Sequence, residues 1–301
     1  GKECAGGVLR DERTGEIACV YADYVILATG GVGGLYASST NFPQLTGDGV
    51  AICLKHGIAV RDLDYVQIHP TTLYTKRRGR RFLISESVRG EGGVLLDGTG
   101  RRFTDELKPR DVVTAAIRGQ MQKEGSECVW LDMRTIPPEE LRVHFPAIVK
   151  RCLEEGYDPF SRPVPVVPAQ HYFMGGIGSD PEGRTEMPRL FAVGETCCNG
   201  VHGKNRLASN SLLESLLFAR RAALRIGNTY AAVSEETQKR AGQGFDERKY
   251  KDKKALAAEY AELVKAGMER SARERAKKAG KAGAEKPEDA GRAGAARSAA
   301  R

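Results

Sequence analysis

The chain has 301 residues, 41% hydrophobic and 29% charged, which is enough to bury one large core or two ordinary ones and excludes a peptide-sized or disulfide-stapled module. No apolar run approaches the roughly 20 residues of a membrane-spanning helix, and 35 glycines against one Trp suit the tight turns of an α/β cofactor binder better than a helical bundle. The net charge of +8 is concentrated at the end: residues 230–301 hold 18 Lys/Arg against 12 Asp/Glu, so the pI of 9.1 describes a tail and not the body.

Seven scattered cysteines with no CxxC pair predict reduced thiols, a cytoplasmic setting and no metal centre. The chain opens on Gly1 without a charged and then apolar leader, and reads as a piece of something longer.

In chain order, residues 7–28 read as a β-hairpin around Arg13-Thr14-Gly15 feeding a buried parallel strand, Tyr24-Val25-Ile26-Leu27. That strand stops at Ala28-Thr29-Gly30-Gly31, where small residues allow a ligand close to the backbone. Gly31 and Gly33 do not extend to a G-x-G-x-x-G, because Tyr36 takes the third place. After Thr46-Gly47-Asp48-Gly49, apolar residues at helical spacing predict a helix that Gly57 ends, with Asp48 beside its N-terminus.

Residues 63–172 are richer in turns and charge and read as an inserted α+β unit. Leu190-Phe191-Ala192-Val193 is a second buried strand ending in Gly194-Glu195, a pairing suited to accepting hydrogen bonds from ribose hydroxyls. Ser211-Leu212-Leu213-Glu214 has the spacing of a capping box and would open an apolar helix whose N-terminus favours an anion or an electron-rich ring. Leu256, Tyr260, Leu263, Val264 and Met268 mark a packing helix, and residues 276–301, nearly free of large apolar side chains, are expected to be disordered.

Five islands hold polar groups that an ordinary core avoids: Gln67–Thr71, Ser85–Gly92, Pro109–Asp111, Gln170–Gly176 and His202–Arg206. Singly, each has an ordinary explanation as a turn histidine, a surface ion pair or a satisfied core residue. Together, HPTTLY (69–74), SESVRGEGG (85–93), PRDVV (109–113), PAQHYFMGGI (168–177), VGET (193–196) and HGKNRLASNSLLE (202–214) resemble the succinate dehydrogenase and fumarate reductase flavoproteins over about residues 1–227. Within them, HPTTLY and NRLASNSLLE are most similar to the L-aspartate oxidase branch.

The resemblance implies an α/β fold. An incomplete, Rossmann-like FAD-binding domain (1–62 and 173–227) is interrupted by an α+β capping domain (63–172) and followed by a helical or disordered basic tail (228–301). It implies FAD as cofactor and a C4 dicarboxylate as substrate, L-aspartate being oxidised to iminoaspartate for quinolinate and NAD synthesis, with fumarate or O2 accepting electrons and quinolinate synthase downstream. Arg110 would transfer a proton. His69, Ser85, Glu86, His171 and Arg206 would bind substrate, and Ala28, Thr29, Gly30, Gly31, Asp48, Glu195, Asn210, Ser211 and Leu212 would contact FAD. Relatives commonly carry Thr where Ser85 stands.

The glycine-rich fingerprint and the acidic residue that meets the substrate amino group lie outside this sequence, so the isolated chain is expected to bind FAD weakly or not at all. A fumarate reductase or succinate dehydrogenase subunit is the nearest rival, and nucleic-acid binding by the basic tail a distant one, its aromatic interleaving being sparse. No G-x-S-x-G elbow, Walker A loop or H-E-x-x-H helix is present.

Overall fold

In the computed structural model, which describes residues 3–77 and 79–284, the turn at Arg13–Gly15 closes an antiparallel hairpin of β1 (Gly6–Arg10) and β2 (Ile17–Tyr21). There follow β3 (Val25–Leu27), α1 (Asp48–Lys55), β4 (Val60–Arg61), β5 (Val66–Leu73), α2 (Glu86–Gly90), β6 (Val94–Leu96), α3 (Arg110–Glu124) and β7 (Val129–Asp132). The remaining elements are α4 (Pro138–His144), α5 (Pro146–Glu154), β8 (Val164–Phe173), β9 (Gly176–Gly178), β10 (Leu190–Ala192), β11 (Cys197–Cys198), α6 (Asn210–Asn228), α7 (Glu235–Gly242) and α8 (Lys253–Ala284).

Two apolar cores organise these elements. One lies under the antiparallel sheet β5-β8-β7-β6, where Leu73, Ile84, Leu95, Val113, Ile117, Leu131 and Val166 are closed over by α3, α4 and α5. The other gathers Val32, Val50, Cys53, Leu63, Phe173, Ile177, Ala192 and Val264 around the parallel pair β3-β10 and the small sheet β11-β9-β4. The long pair β5 and β8 belongs to both, since Val66 and Phe173 at one end pack in the second core while Leu73, Val164 and Val166 at the other pack in the first. Its middle therefore lies where the two cores meet.

Three sequence expectations are corrected. β3 pairs in parallel with β10, but it is only partly buried: Val25 and Leu27 pack against the second core, whereas Ile26, on the opposite face of the strand, is 46% exposed. The capping box does not form. α6 starts from Ser209 in the left-handed region (φ 66°) with no side-chain cap, and Glu214 is turned to Asn199 instead. Residues 276–284, expected to be disordered, continue α8, whereas 285–301 lie outside the described residues.

α8 docks where Val264 is fully buried against α1 and Gly267 passes Leu54 and Leu63 so closely that a Cβ would stand 2.8 Å from Leu63 Cδ1. No described helix is long and apolar enough to cross a membrane.

Candidate active site

The middle of the β5 and β8 pair is irregular. The register slips between Gln67 and Ile68 and again between His69 and Thr72, the stretch that contains Pro70, which has no N–H for a ladder. Such slips re-aim side chains, and here they bring Gln67 and His69 of β5 beside Gln170 and His171 of β8. The His69 and His171 rings meet edge to face at 5.5 Å.

Gln67 is the hub. Its Oε1 accepts from Arg110 Nη1 at 3.1 Å and from Arg206 Nη2 at 3.0 Å, while its Nε2 donates to Asn205 Oδ1 (3.0 Å) and to the Arg206 carbonyl (2.8 Å). Every hydrogen-bonding position of the amide is thus used, which fixes its orientation.

Arg110 opens α3 and is paired with Glu86 of α2, whose Oε2 takes both Nε (2.7 Å) and Nη2 (2.6 Å). Glu86 Oε1 lies 3.8 Å from Nη2 of Arg89, itself 3% exposed and donating to the Glu106 carbonyl. Arg206 is laid over the Tyr172 ring at 4.6 Å.

Among the described residues, the three buried guanidiniums Arg89, Arg110 and Arg206 have one carboxylate, Glu86, within ion-pair distance, since Glu106 is neutralised by Arg102 and Glu195, which also acts on Arg206, is pushed by burial up to about 7. Arg206 Nε, Arg89 Nε and Nη2, and His69 Nε2 are buried without a partner. A surplus of two positive charges with unused donors is costly unless an anion completes it. The same field keeps the histidines neutral: burial first, and then Arg110, holds His69 well below its ordinary range, and burial with Arg206, Arg110 and Arg80 brings His171 down to about 4.

Of the residues expected to meet substrate, His69, Glu86, Arg110, His171 and Arg206 fall in this cluster. Ser85 stands beside it with its hydroxyl engaged as the N-cap of α2, accepting from Ser87 N–H at 3.2 Å. Gln67, Arg89 and Tyr172 sit inside quoted islands, yet they were not singled out. Gln67 carries a signal, a polar side chain within the apolar run Tyr65-Val66-Gln67-Ile68, whereas Arg89 and Tyr172 carry none.

Among the residues expected at FAD, Thr29 and Gly31 lie against Thr196 and Glu195. Ala28–Gly31 follow β3, Gly30 has φ +75°, and Thr29 Oγ1 meets Thr196 Oγ1 at 2.8 Å. Gly31 backs onto Glu195 so tightly that a Cβ would lie 2.4 Å from Oε1. Glu195 Oε1 accepts from Phe173 N–H at 2.9 Å, and burial pushes the carboxyl pKa up to about 7.

Asp48 is the first residue of α1 and accepts from Thr46 Oγ1 at 2.7 Å. Asn210, Ser211 and Leu212 form the first turn of α6, uncapped, with Leu212, Leu213 and Leu216 all more than 60% exposed. An uncapped helix N-terminus beside exposed leucines suits a flat apolar ring with an electron-rich edge, so these residues fit a flavin.

The fold and this donor set define an FAD-binding flavoprotein of mixed α/β type. A family model described as FAD binding domain matches residues 1–212, and the chain belongs to that family. It is 47% identical over 264 residues to the L-aspartate oxidase of Clostridium perfringens, covering 87% of this chain and 60% of that protein. It is 51% identical over 209 residues to the L-aspartate oxidase of Clostridium acetobutylicum, covering 69% and 48%.

Among solved structures it is similar to an E. coli quinol fumarate reductase (TM-score 0.67, 32% identity, 81% of this chain and 50% of that one). Mycobacterium smegmatis Sdh1 is also similar (TM-score 0.64, 35% identity, 80% and 43%). The chain thus spans about half the length of the curated relatives it matches.

Proposed function

We propose that this chain carries the substrate side of an FAD-dependent L-aspartate oxidase, which removes a hydride from C2 of L-aspartate to give iminoaspartate, the precursor for quinolinate and NAD synthesis. The observation that carries the reading is the double positive surplus around Gln67, which two carboxylates at the ends of a four-carbon chain would balance. The names of the curated relatives favour L-aspartate over succinate.

In this reading Arg206, with Nε free and its plane supported by Tyr172, clamps one carboxylate, and His69 and His171 donate to the other. Bound FAD would supply the two-electron acceptor, held by Ala28–Gly31, Asp48, Glu195 and the first turn of α6. When fumarate is reduced, one carbon takes hydride and the other a proton. We assign that proton to Arg110, because Glu86, bonded to two of its N–H groups, can replace it and Arg89 continues the chain of charged groups beyond. Burial of the cluster excludes water from the reacting carbons and strengthens each of these interactions.

The test is anaerobic flavin bleaching in purified protein that is first shown, by its absorbance after desalting, to retain FAD. L-aspartate should bleach it and succinate should not. Bleaching by succinate alone favours a succinate dehydrogenase or fumarate reductase flavoprotein, and bleaching by neither removes the proposal.

A further inference from the structure

The segment 38–41 has no role in the site described so far, yet it is gripped from both sides. On one side, Ser39 bridges Gln170 in parallel, Ser39 Oγ donates to Gln170 Oε1 at 2.6 Å, and Asn41 Nδ2 donates to that same oxygen (3.0 Å) and to the His171 carbonyl (3.1 Å). On the other side a cationic turn closes over it. Arg80 Nε donates to the Thr40 carbonyl, Arg81 Nε to Ser38 Oγ (3.2 Å) and Arg81 N–H to the Ser39 carbonyl (2.7 Å), while the Arg80 guanidinium rests on the Phe42 ring at 4.8 Å. The side chain held in this grip is Thr40, 4% exposed, with Oγ1 2.8 Å from Nδ1 of His171.

We propose that Thr40, locked by Arg80, is the positioning residue that sets the proton on His171: its hydroxyl donates into Nδ1, so the ring carries its hydrogen on Nε2, on the side open to the dicarboxylate. This rests on the reading of the cluster as a dicarboxylate site.

Two observations decide the direction of the bond. A hydroxyl has one hydrogen, and its alternative acceptor, the Gln170 carbonyl, is farther at 3.4 Å and already receives the Thr40 N–H at 2.9 Å. The ring is neutral, because it is buried and because Arg206, Arg110 and Arg80 face it and oppose a further charge, so only one nitrogen bears hydrogen. Among the described residues no protein group bonds Nε2. With the hydrogen there, His171 donates to a carboxylate. With the opposite tautomer, a lone pair would face the anion.

The experiment reads the tautomer directly. Long-range 1H–15N NMR of the purified protein at pH 7, with the His171 signal assigned by its loss in His171→Gln, should show hydrogen on Nε2. Thr40→Val, which keeps the shape and removes the hydroxyl, should give a mixture, Thr40→Ser should restore the single form, and Arg80→Gln should fall between. In turnover, Thr40→Val should raise KM for the dicarboxylate about 10-fold with kcat within about 3-fold, and Thr40→Ser should recover it. Hydrogen on Nδ1 in the unmodified protein, or an unchanged spectrum in Thr40→Val, overturns the proposal. The unmodified spectrum decides even if a variant fails to fold. Because the tautomer is read without substrate, a protein that shows hydrogen on Nε2 and ignores L-aspartate supports the positioning while removing the L-aspartate reading.

Discussion

Arg110 and Arg206, 96 positions apart in the chain, donate to one and the same oxygen, Gln67 Oε1, at 3.1 and 3.0 Å. A neutral carbonyl between two buried guanidiniums holds them near each other without cancelling either charge. A carboxylate there would hold them more strongly and leave less positive charge for a ligand.

Gln67→Glu should therefore separate stability from binding. The variant is expected to unfold near the parent's urea midpoint, because its new oxygen would face the Asn205 Oδ1 and Arg206 carbonyl acceptors that Nε2 now serves, and to bind a dicarboxylate about 100-fold more weakly, since a second carboxylate beside Glu86 repels the incoming anion. Gln67→Leu should instead lose about 2 kcal/mol, because both guanidiniums forfeit an acceptor in a buried site. Urea titrations with and without a dicarboxylate measure both, and tighter binding in Gln67→Glu would contradict the charge argument.

Glu86→Gln should lower the rate of fumarate reduction by about 100-fold, with a much smaller change in KM. Glu86 is bonded to Arg110, so its loss affects proton replacement before it affects substrate binding. Equal losses in kcat and binding would mean that Glu86 only orients Arg110.

The pH dependence of stability combines two opposed contributions. His171, ordinarily near 6.5 and held at about 4, resists protonation in the fold, so its stabilisation is present above 6.5 and is lost as pH falls towards 4. His69 acts in the same direction. Glu195, raised from 4.5 to about 7, keeps its proton in the fold, so its stabilisation is present below 4.5 and is lost as pH rises through 7. Glu195→Gln removes the second contribution. Relative to the parent, the variant should gain stability at pH 8 and not at pH 4.5, as urea midpoints at the two values would reveal.

α8 offers a contrast in magnitudes. Arg275 pairs with Asp62 (2.6 Å) and Asp64 (2.8 Å) over the Tyr65 ring, but Arg275 and Asp62 keep more than a third of their side-chain surface in solvent, so Arg275→Ala should cost about 1 kcal/mol. Gly267→Leu, forced against Leu63 and Leu54, should cost about 1–3 kcal/mol by overpacking. If the arginine variant proved the more damaging, the docking of α8 would be electrostatic and not a matter of close packing.

Local chemistry made part of this molecule legible in the sequence. The hairpin, the helix opening at Asp48, the strand Leu190–Ala192 and the packing face of the last long helix follow from turn residues and periodicity that act over a few positions. The polar islands were visible for the same reason: charged side chains inside apolar runs stand out wherever they come to lie.

What tertiary structure alone decided was how each such group is engaged. Ser211-Leu212-Leu213-Glu214 has a capping-box spacing, yet Asn199 offered Glu214 a partner and the helix began elsewhere. Gln67 became the hub only because two register slips turn β5 towards arginines from distant parts of the chain. Residue types and short-range spacing are written along the chain, whereas the partner of a buried charge depends on which distant segments the two cores press together.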